Sequence, residues 1–429
     1  MEIQELYKIY QKFSSVQTDS RKVERGDLFF ALKGENFDGN KFAAQALKDG
    51  AAYAVIDNAD FSTGDNCIVV EDVLVTLQQL ANYHRKQFSI PFIAITGSNG
   101  KTTTKELLHQ VLACKYITYA TEGNLNNHIG VPLTILKIKT DAEIAIIEMG
   151  ANHQKEIASY CAIAAPNYAL INNVGMAHLE GFGGLEGVKK GKGELYDFIR
   201  ENGGSIFINT DLDYLEEMAH GIENRITYGR ANAQVIGRML HQESFLKFIV
   251  LSSGMETVIQ TKLVGDYNFP NALAAIAVGN HFDIDIDTMK TAIEQYNPSN
   301  NRSQLIEKGN NTIILDAYNA NPSSMKLAIE NIAKMNTSKP KWLLLGAMKE
   351  MGASSRVEHQ MLINIVNSLD FENVILVGNE FEGLMHEFKY FENSVAAKAW
   401  LLLNPIKDAL VLIKGSRGAK MEEVLNSFN

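Results

Sequence analysis

Between residues 92 and 112 the sequence leaves the chain few folds to choose from. Phe92-Ile93-Ala94-Ile95 reads as a fully apolar strand, and Leu107, Leu108, Val111 and Leu112 fall on one face of a following helix. Joining them is Thr96-Gly97-Ser98-Asn99-Gly100-Lys101-Thr102-Thr103. A glycine turn that leaves a buried strand and opens a helix is the context a phosphate-binding loop requires. Its backbone N–H groups curl round phosphate oxygens, with Lys101 as a point charge and the Thr102 hydroxyl free for a divalent cation. The strict pattern G-x-x-x-x-G-K-[ST] fails at its first position, where Ile95 stands. The motif points to a nucleotide and says nothing of a reaction; the plain alternative is an ordinary strand–helix turn.

Further apolar runs, Ile144–Ile147 and Tyr168–Ile171, suit a parallel sheet covered on both faces. A polar, β-rich stretch around 226–264 is expected to form a separate antiparallel patch. Asn297-Pro298-Ser299-Asn300-Asn301 reads as a linker, and after it Thr312–Leu315, Trp342–Leu345, Val374–Val377 and Leu410–Ile413 alternate with helical stretches. Their ends, Asp316, Gly346, Gly378 and Lys414-Gly415, lie on the edge where such sheets bind ligands. The expected fold is α/β in three domains. Residues 1–88 form a small α/β domain, residues 89–298 a central P-loop ATPase-like domain with a mostly parallel sheet, and residues 299–429 a Rossmann-like domain.

Composition excludes several classes. With 46% hydrophobic and 21% charged residues the 429-residue chain is globular, not disordered. A net charge of −10 argues against a general nucleic-acid binder. Cys67, Cys114 and Cys161 lie far apart, against a disulfide framework or a thiolate zinc site. The N-terminus shows no leader pattern and no apolar run reaches transmembrane length, so a cytoplasmic location without membrane insertion is expected.

Several polar residues follow apolar strands. Glu148 ends one and can reach a metal at the loop; His178 follows another, although Mg²⁺ prefers oxygen ligands. Taken alone, each reads first as a plain strand-end or loop residue. Lys189, Lys190 and Lys192 form a charge run that reads as solvated surface or a phosphate-binding loop, with no reason to prefer one of them. The stretch Thr121-Glu122-Gly123-Asn124-Leu125-Asn126-Asn127-His128 is too polar for a core and suits either a ligand-binding or a surface loop.

Taken together these motifs resemble the Mur ligase family, the ATP-dependent amide-bond ligases of peptidoglycan and cell-wall assembly, over essentially the whole chain. The family's loop form T-G-x-N-G-K-T matches Thr96–Thr102 and accounts for Ile95. Thr121–Asn127, Glu148–Ala151, Ala177–Gly183, Lys192–Glu194, Asp316–Pro322 and Lys414–Arg417 look like the branch that adds a D-alanyl-D-alanine dipeptide. The resemblance implies ATP and Mg²⁺ as cofactors, and UDP-N-acetylmuramoyl-tripeptide and D-alanyl-D-alanine as substrates of a monomer. It also implies a ligation through an acyl phosphate.

By the same resemblance Gly97 to Thr103, Asn268, Asn271, Arg302 and Asp316 contact ATP; Lys101, Glu148, His178 and Lys192 are catalytic; and Thr102, Glu148, His178 and a carbamylated Lys192 hold the metal. Substrate contacts fall on Ser20, Arg21, Asp38, Gly39, Thr121, Asn124, Asn126, Asn127, Tyr318, Asn319 and Asn321. One position departs: Tyr267 stands before Asn268 where the family commonly has His. The rival expectations are a diamino-acid-adding or folylpolyglutamate-synthase-like ligase, a P-loop kinase or ATPase, and a nucleotide-binding regulator.

Overall fold

The computed structural model describes residues 1–240, 245–252 and 254–428. Among the described residues three sheets carry the architecture. The N-terminal sheet runs Val16–Gln17, Leu28–Phe30, Tyr53–Ile56, Cys67–Val69, all parallel. The central sheet has nine strands, and Phe92–Thr96 lies inside it between Tyr168–Ile171 and Ile144–Glu148, parallel to both. All five of its residues are buried, which is why Phe92–Ile95 is continuously apolar. After Phe92–Thr96 the chain builds Thr118–Ala120 and Ile144–Glu148 on one side, then crosses to Tyr168–Ile171 on the other. The phosphate loop therefore sits at a topological switch point, where a crevice opens beyond the strand ends.

The stretch around 226–264 is not a separate patch. Arg225–Gly229 pairs parallel with Ser205–Asn209, Val235–Met239 continues it, and Lys247–Ser252 and Met255–Gln260 follow antiparallel, all in the central sheet. The reason is a shared core: Val235, Phe248, Val250 and Ile259 belong to the same apolar cluster as Leu107 and Val111 of the P-loop helix and Leu273 of helix Phe269–His281. Half-buried alternation kept these strands polar enough to look independent. Residues 241–244 and 253 of that stretch lie outside the described residues.

The C-terminal sheet runs Gln304–Lys308, Asn311–Asp316, Leu410–Lys414, Lys341–Gly346, Asn373–Val377, Lys389–Phe391, parallel except for the first strand. The expected linker is a tight turn in which Asn300, Asn301 and Ser303 adopt φ of 58°, 56° and 45°. Asn tolerates this left-handed region; serine does so less readily.

The N-terminal and central parts share one hydrophobic core. Helix Val73–Arg85 packs on Gly130–Leu136 and Glu156–Ala164, and a single cluster runs from Leu6 and Tyr10 through Leu77 and Leu80 to Ile135 and Tyr160. Arg85 pins this junction. Its guanidinium donates to the carbonyls of Ala164 (2.7 Å), Ala165 (2.8 Å) and Phe88 (2.9 Å) and lies 3.7 Å from the Phe92 ring centre. Two of those carbonyls cap a helix C-terminus, whose partial negative charge favours a cation. Burial alone lowers the Arg85 pKa to about 10. Replacing Arg85 with Met keeps the stem and orphans three buried acceptors. The expected loss is on the order of 2–4 kcal/mol of stability by denaturant titration, with little recovery in Arg85→Lys, which lacks the planar fork.

Candidate active site

The loop's shape depends on two glycines. Gly97 and Gly100 have φ of 148° and 80°, and a Cβ on Gly100 would sit 2.6 Å from Asn271 Oδ1 and 2.9 Å from Asn172 Nδ2. Asn173 braces the turn from the next strand. Its Oδ1 accepts from Asn99 N (2.9 Å), its Nδ2 donates to Asn99 O (3.2 Å), and its own carbonyl accepts from Ser98 N (3.0 Å). Lys101 folds back so that Nζ donates to Gly97 O at 2.6 Å. Lys101 is half-buried in the cavity wall. Burial depresses the Lys101 pKa, with nearby Glu148 opposing the shift and Arg302 adding to it.

Glu148 ends the neighbouring strand almost fully buried. Its Oε1 accepts from Thr102 Oγ1 (3.1 Å) and Asn126 Nδ2 (2.7 Å), while Oε2 has no hydrogen-bond partner among the described residues. Thr121 is not in the cavity wall: it is buried, its hydroxyl accepts from Glu148 N (2.9 Å), and its carbonyl accepts from Lys105 Nζ (2.7 Å). It shapes the site by holding Glu148. Asn127 shares its Oδ1 between Ile129 N and Gly130 N, starting helix Gly130–Leu136, and Asn124, Asn126 and Asn127 all line the cavity.

Among the three lysines the structure separates Lys192. Lys190 is exposed and Lys189 pairs with Glu217 at 2.8 Å, whereas Lys192 is buried on helix Leu185–Asn202 with Nζ 3.2 Å from Ala151 O. The Phe182 ring lies 5.1 Å away. Burial, reinforced by Lys101, holds its pKa well below the ordinary lysine value. Lys192 stands behind Ala151, which lines the cavity. His178, at φ 52°, lines it directly, and its Nδ1 lies 2.5 Å from Glu350 Oε2 of the C-terminal domain. That contact is short but lies off the hydrogen-bonding direction of the ring nitrogen. It lowers the Glu350 pKa.

A cavity of about 640 Å³ separates the loop from the C-terminal sheet. Thr103 and Ser98 line it beside Asn268 and Asn271. These two amides are linked: Asn271 Nδ2 donates to Asn268 Oδ1 (3.0 Å), and Asn271 Oδ1 accepts from Thr104 Oγ1 (3.2 Å) and Asn172 Nδ2 (3.2 Å). From the other domain come Arg302, Asp316, Tyr318, Asn319 and Asn321. The Arg302 guanidinium stacks 4.1 Å from the Tyr318 ring centre. Asp316 Oδ2 meets the buried Lys414 Nζ at 2.5 Å. Asn321 closes the gap, with Nδ2 donating to Asn99 Oδ1 at 2.8 Å. Of the four expected strand ends, Asp316 and Lys414 line this cavity; Gly346 and Gly415 instead pack on Met421, and Gly378 on Ala347.

The N-terminal candidates lie elsewhere. Ser20, Arg21, Asp38 and Gly39 do not line the cavity. Arg21 is exposed and paired twice with Asp19, at 2.8 Å each, which lowers the Asp19 pKa to about 2. Asp38 caps its own turn through Asn40 N (3.0 Å), and Gly39 is glycine because a Cβ would stand 2.4 Å from Leu32 O. Asn172, Asn173, Ser323, Glu350 and Glu156 were not singled out in the sequence, although Asn172-Asn173 follows an apolar strand as Glu148 does. A metal cluster is not evident: no group of three or more His, Cys, Asp or Glu residues among the described residues is placed to hold an ion.

Three family models match in succession: "Mur ligase family, catalytic domain" over residues 12–85, "Mur ligase middle domain" over 95–279 and "Mur ligase, glutamate ligase domain" over 301–417. The chain belongs to the Mur ligase family. A Bacillus subtilis (strain 168) relative, UDP-N-acetylmuramoyl-tripeptide--D-alanyl-D-alanine ligase, is 34% identical over 96% of this chain and 92% of its own length. A crystal structure of MurF from Acinetobacter baumannii superposes with a TM-score of 0.88 at 30% identity, over 99% of this chain and 97% of that one. MurF ligase from Thermotoga maritima in complex with ADP gives 0.86 at 28% identity, over 96% of each.

Within this Mur ligase site Asn321 has two separable duties. Its Oδ1 caps helix Pro322–Lys334 through Ser324 N (2.8 Å), while its Nδ2 reaches the loop. Asn321→Asp keeps the cap, removes the bridging donor and sets a negative charge beside the phosphate loop. It is expected to leave the melting temperature unchanged and to lower kcat/KM for ATP about tenfold. Asn321→Ala should lose about 1 kcal/mol of stability as well.

Proposed function

We propose that the chain joins D-alanyl-D-alanine to UDP-N-acetylmuramoyl-tripeptide with cleavage of ATP to ADP and phosphate, a cytoplasmic step of peptidoglycan synthesis. The observation that carries this reading is likeness over 96% of the chain to ligases of that activity. Identity of 34% to those ligases, against 18% to a 2,6-diaminopimelate ligase and 14% to a folylpolyglutamate synthase that also align along most of the chain, favours this activity over the diamino-acid-adding, folylpolyglutamate, kinase and regulator alternatives. A working monomer is part of the same reading. No helix among the described residues is long and apolar enough to cross a membrane.

The chemistry follows from the poor electrophilicity of a carboxylate. The tripeptide's terminal carboxylate oxygen attacks the γ-phosphorus, forming an acyl phosphate as the bond to ADP breaks. The dipeptide's amine then attacks the acyl carbon, phosphate leaves and the nitrogen loses a proton. Lys101 and the first-turn N–H groups of its helix bind and orient the phosphates. Asn268 and Asn271 face the nucleotide, and Arg302 and Asp316 cover it from the other domain. Tyr318 and Asn319 are proposed to meet the dipeptide, with Asn124, Asn126 and Asn127 towards the muramoyl peptide. The uridine nucleotide is assigned to Ser20, Arg21, Asp38 and Gly39.

Mg²⁺ fits the oxygen set: the unpartnered Glu148 Oε2 and the Thr102 hydroxyl would hold it, and it would neutralise phosphate charge. Nitrogen donors suit that ion poorly, so Lys192 joins only as a carbamate, and His178 only at the periphery. Its burial favours that modification, because the neutral amine is the form that reacts with CO₂.

Two experiments test this reading. ADP release is measured with UDP-muramoyl-tripeptide, with and without D-alanyl-D-alanine. Turnover is expected only with the dipeptide, and equal rates would reject the assignment. Separately, protein equilibrated at pH 7 with ¹³C-bicarbonate should show a carbamate resonance that is absent from Lys192→Arg. A surface lysine stays protonated at that pH, whereas the depressed Lys192 pKa leaves more of its amine neutral.

A further inference from the structure

We propose that Tyr267 and Ser303 are a pair of positioning residues that set Arg302 and Asp316 against the nucleotide when the C-terminal domain closes. This rests on the ligase reading above. Tyr267 lies in the turn Asp266–Asn268 that opens helix Phe269–His281. It is therefore fixed to the amide network of Asn268, Asn271 and Thr104. Gly265, at φ 93°, lets the ring fold back: a Cβ there would lie 2.3 Å from it. The phenol reaches out of the central domain and meets Ser303 Oγ at 2.9 Å.

Ser303 is the place where this contact has most leverage. It follows Arg302 directly, and its N–H donates to Asp316 Oδ1 at 3.2 Å. The other Asp316 oxygen is held by Lys414, whose Nζ also reaches Asn319 O at 3.4 Å. Ser303 and Lys414 are both buried. One hydroxyl pair thus ties the nucleotide-side turn of the central domain to the strand end bearing Asp316. Ser303 pays for this with a φ of 45°, a conformation disfavoured for a serine with nothing to hold it.

A purely structural pair predicts loss of stability with unchanged turnover. A positioning pair predicts a fall in kcat with little change in the KM for ATP, because the groups it sets matter most in the transition state. Tyr267→Phe and Ser303→Ala each remove one oxygen and keep the packing. Each is expected to lower kcat of dipeptide-dependent ADP release about tenfold, and the double variant should fall no further than the lower single. Melting temperatures are recorded alongside; if Tyr267→Phe fails to fold, Ser303→Ala alone is read against the same kcat criterion. Singles within twofold of the parent, or losses that multiply in the double variant, would overturn the inference. A parent without dipeptide-dependent turnover would instead reject the ligase reading itself.

Discussion

The turn from Thr96 to Lys101 must satisfy its own carbonyls without consuming the amides that open the next helix, and the surrounding architecture follows from that demand. The first N–H groups of a helix have no intrahelical partner, so they are free for an anion only if nothing else in the protein takes them. Here Asn173 takes the Ser98 and Asn99 amides and the Asn99 carbonyl, and Lys101 takes the Gly97 carbonyl. Asn173 can do so because Tyr168–Ile171 runs parallel beside Phe92–Thr96 and ends level with it, Ile171 opposite Thr96. The register of two buried strands thus decides the shape of the loop. The absence of a Cβ at Gly100 lets Asn172 and Asn271 close in behind it.

The same region concentrates cations although the chain is acidic. Lys192 and Lys414 are both nearly inaccessible, and Lys101 is half-buried. Only Lys414 has a carboxylate partner at contact distance, Asp316. Lys101 and Lys192 rest on carbonyls; burial depresses both, with Arg302 adding to the shift of Lys101 and Lys101 to that of Lys192. An unpaired buried ammonium costs several kcal/mol, so such an arrangement persists where an anionic ligand or a covalent change offsets it. The net charge of −10 therefore coexists with a local field suited to phosphates.

How much of this the sequence revealed depends on what each feature required. The loop was legible because strand, glycines and lysine are consecutive. The central strands were legible because burial on both faces demands unbroken apolar runs. Edge strands Gln304–Lys308 and Lys389–Phe391 were not, since half-exposed strands carry no such run. Glu148, His178 and Lys192 gained weight only from resemblance, and burial is what distinguishes Lys192 from Lys189 and Lys190. Thr121 and Asn173 lay furthest from reach: their partners are 27 and 74 residues away, so their roles exist only once the sheet has formed.

Closure draws on a different economy of contacts from the sheets. Among the described residues the C-terminal sheet is less fused to the central one than the first two parts are to each other: its strands fall into two clusters largely its own, met from the central part by Val264, Leu179 and Phe245. What spans the gap is mostly polar: Asn321 to Asn99, Met176 to Ser323, His178 to Glu350, Tyr267 to Ser303. Polar contacts of this kind contribute about 0.5–1.5 kcal/mol each, because water competes for the same groups in the open state. An interface built from them can be made and broken within one turnover, whereas an apolar one would hold. The left-handed residues Asn300, Asn301 and Ser303 lie in the short segment between helix Ile286–Gln295 and strand Gln304–Lys308, where the chain passes from one side of this polar interface to the other.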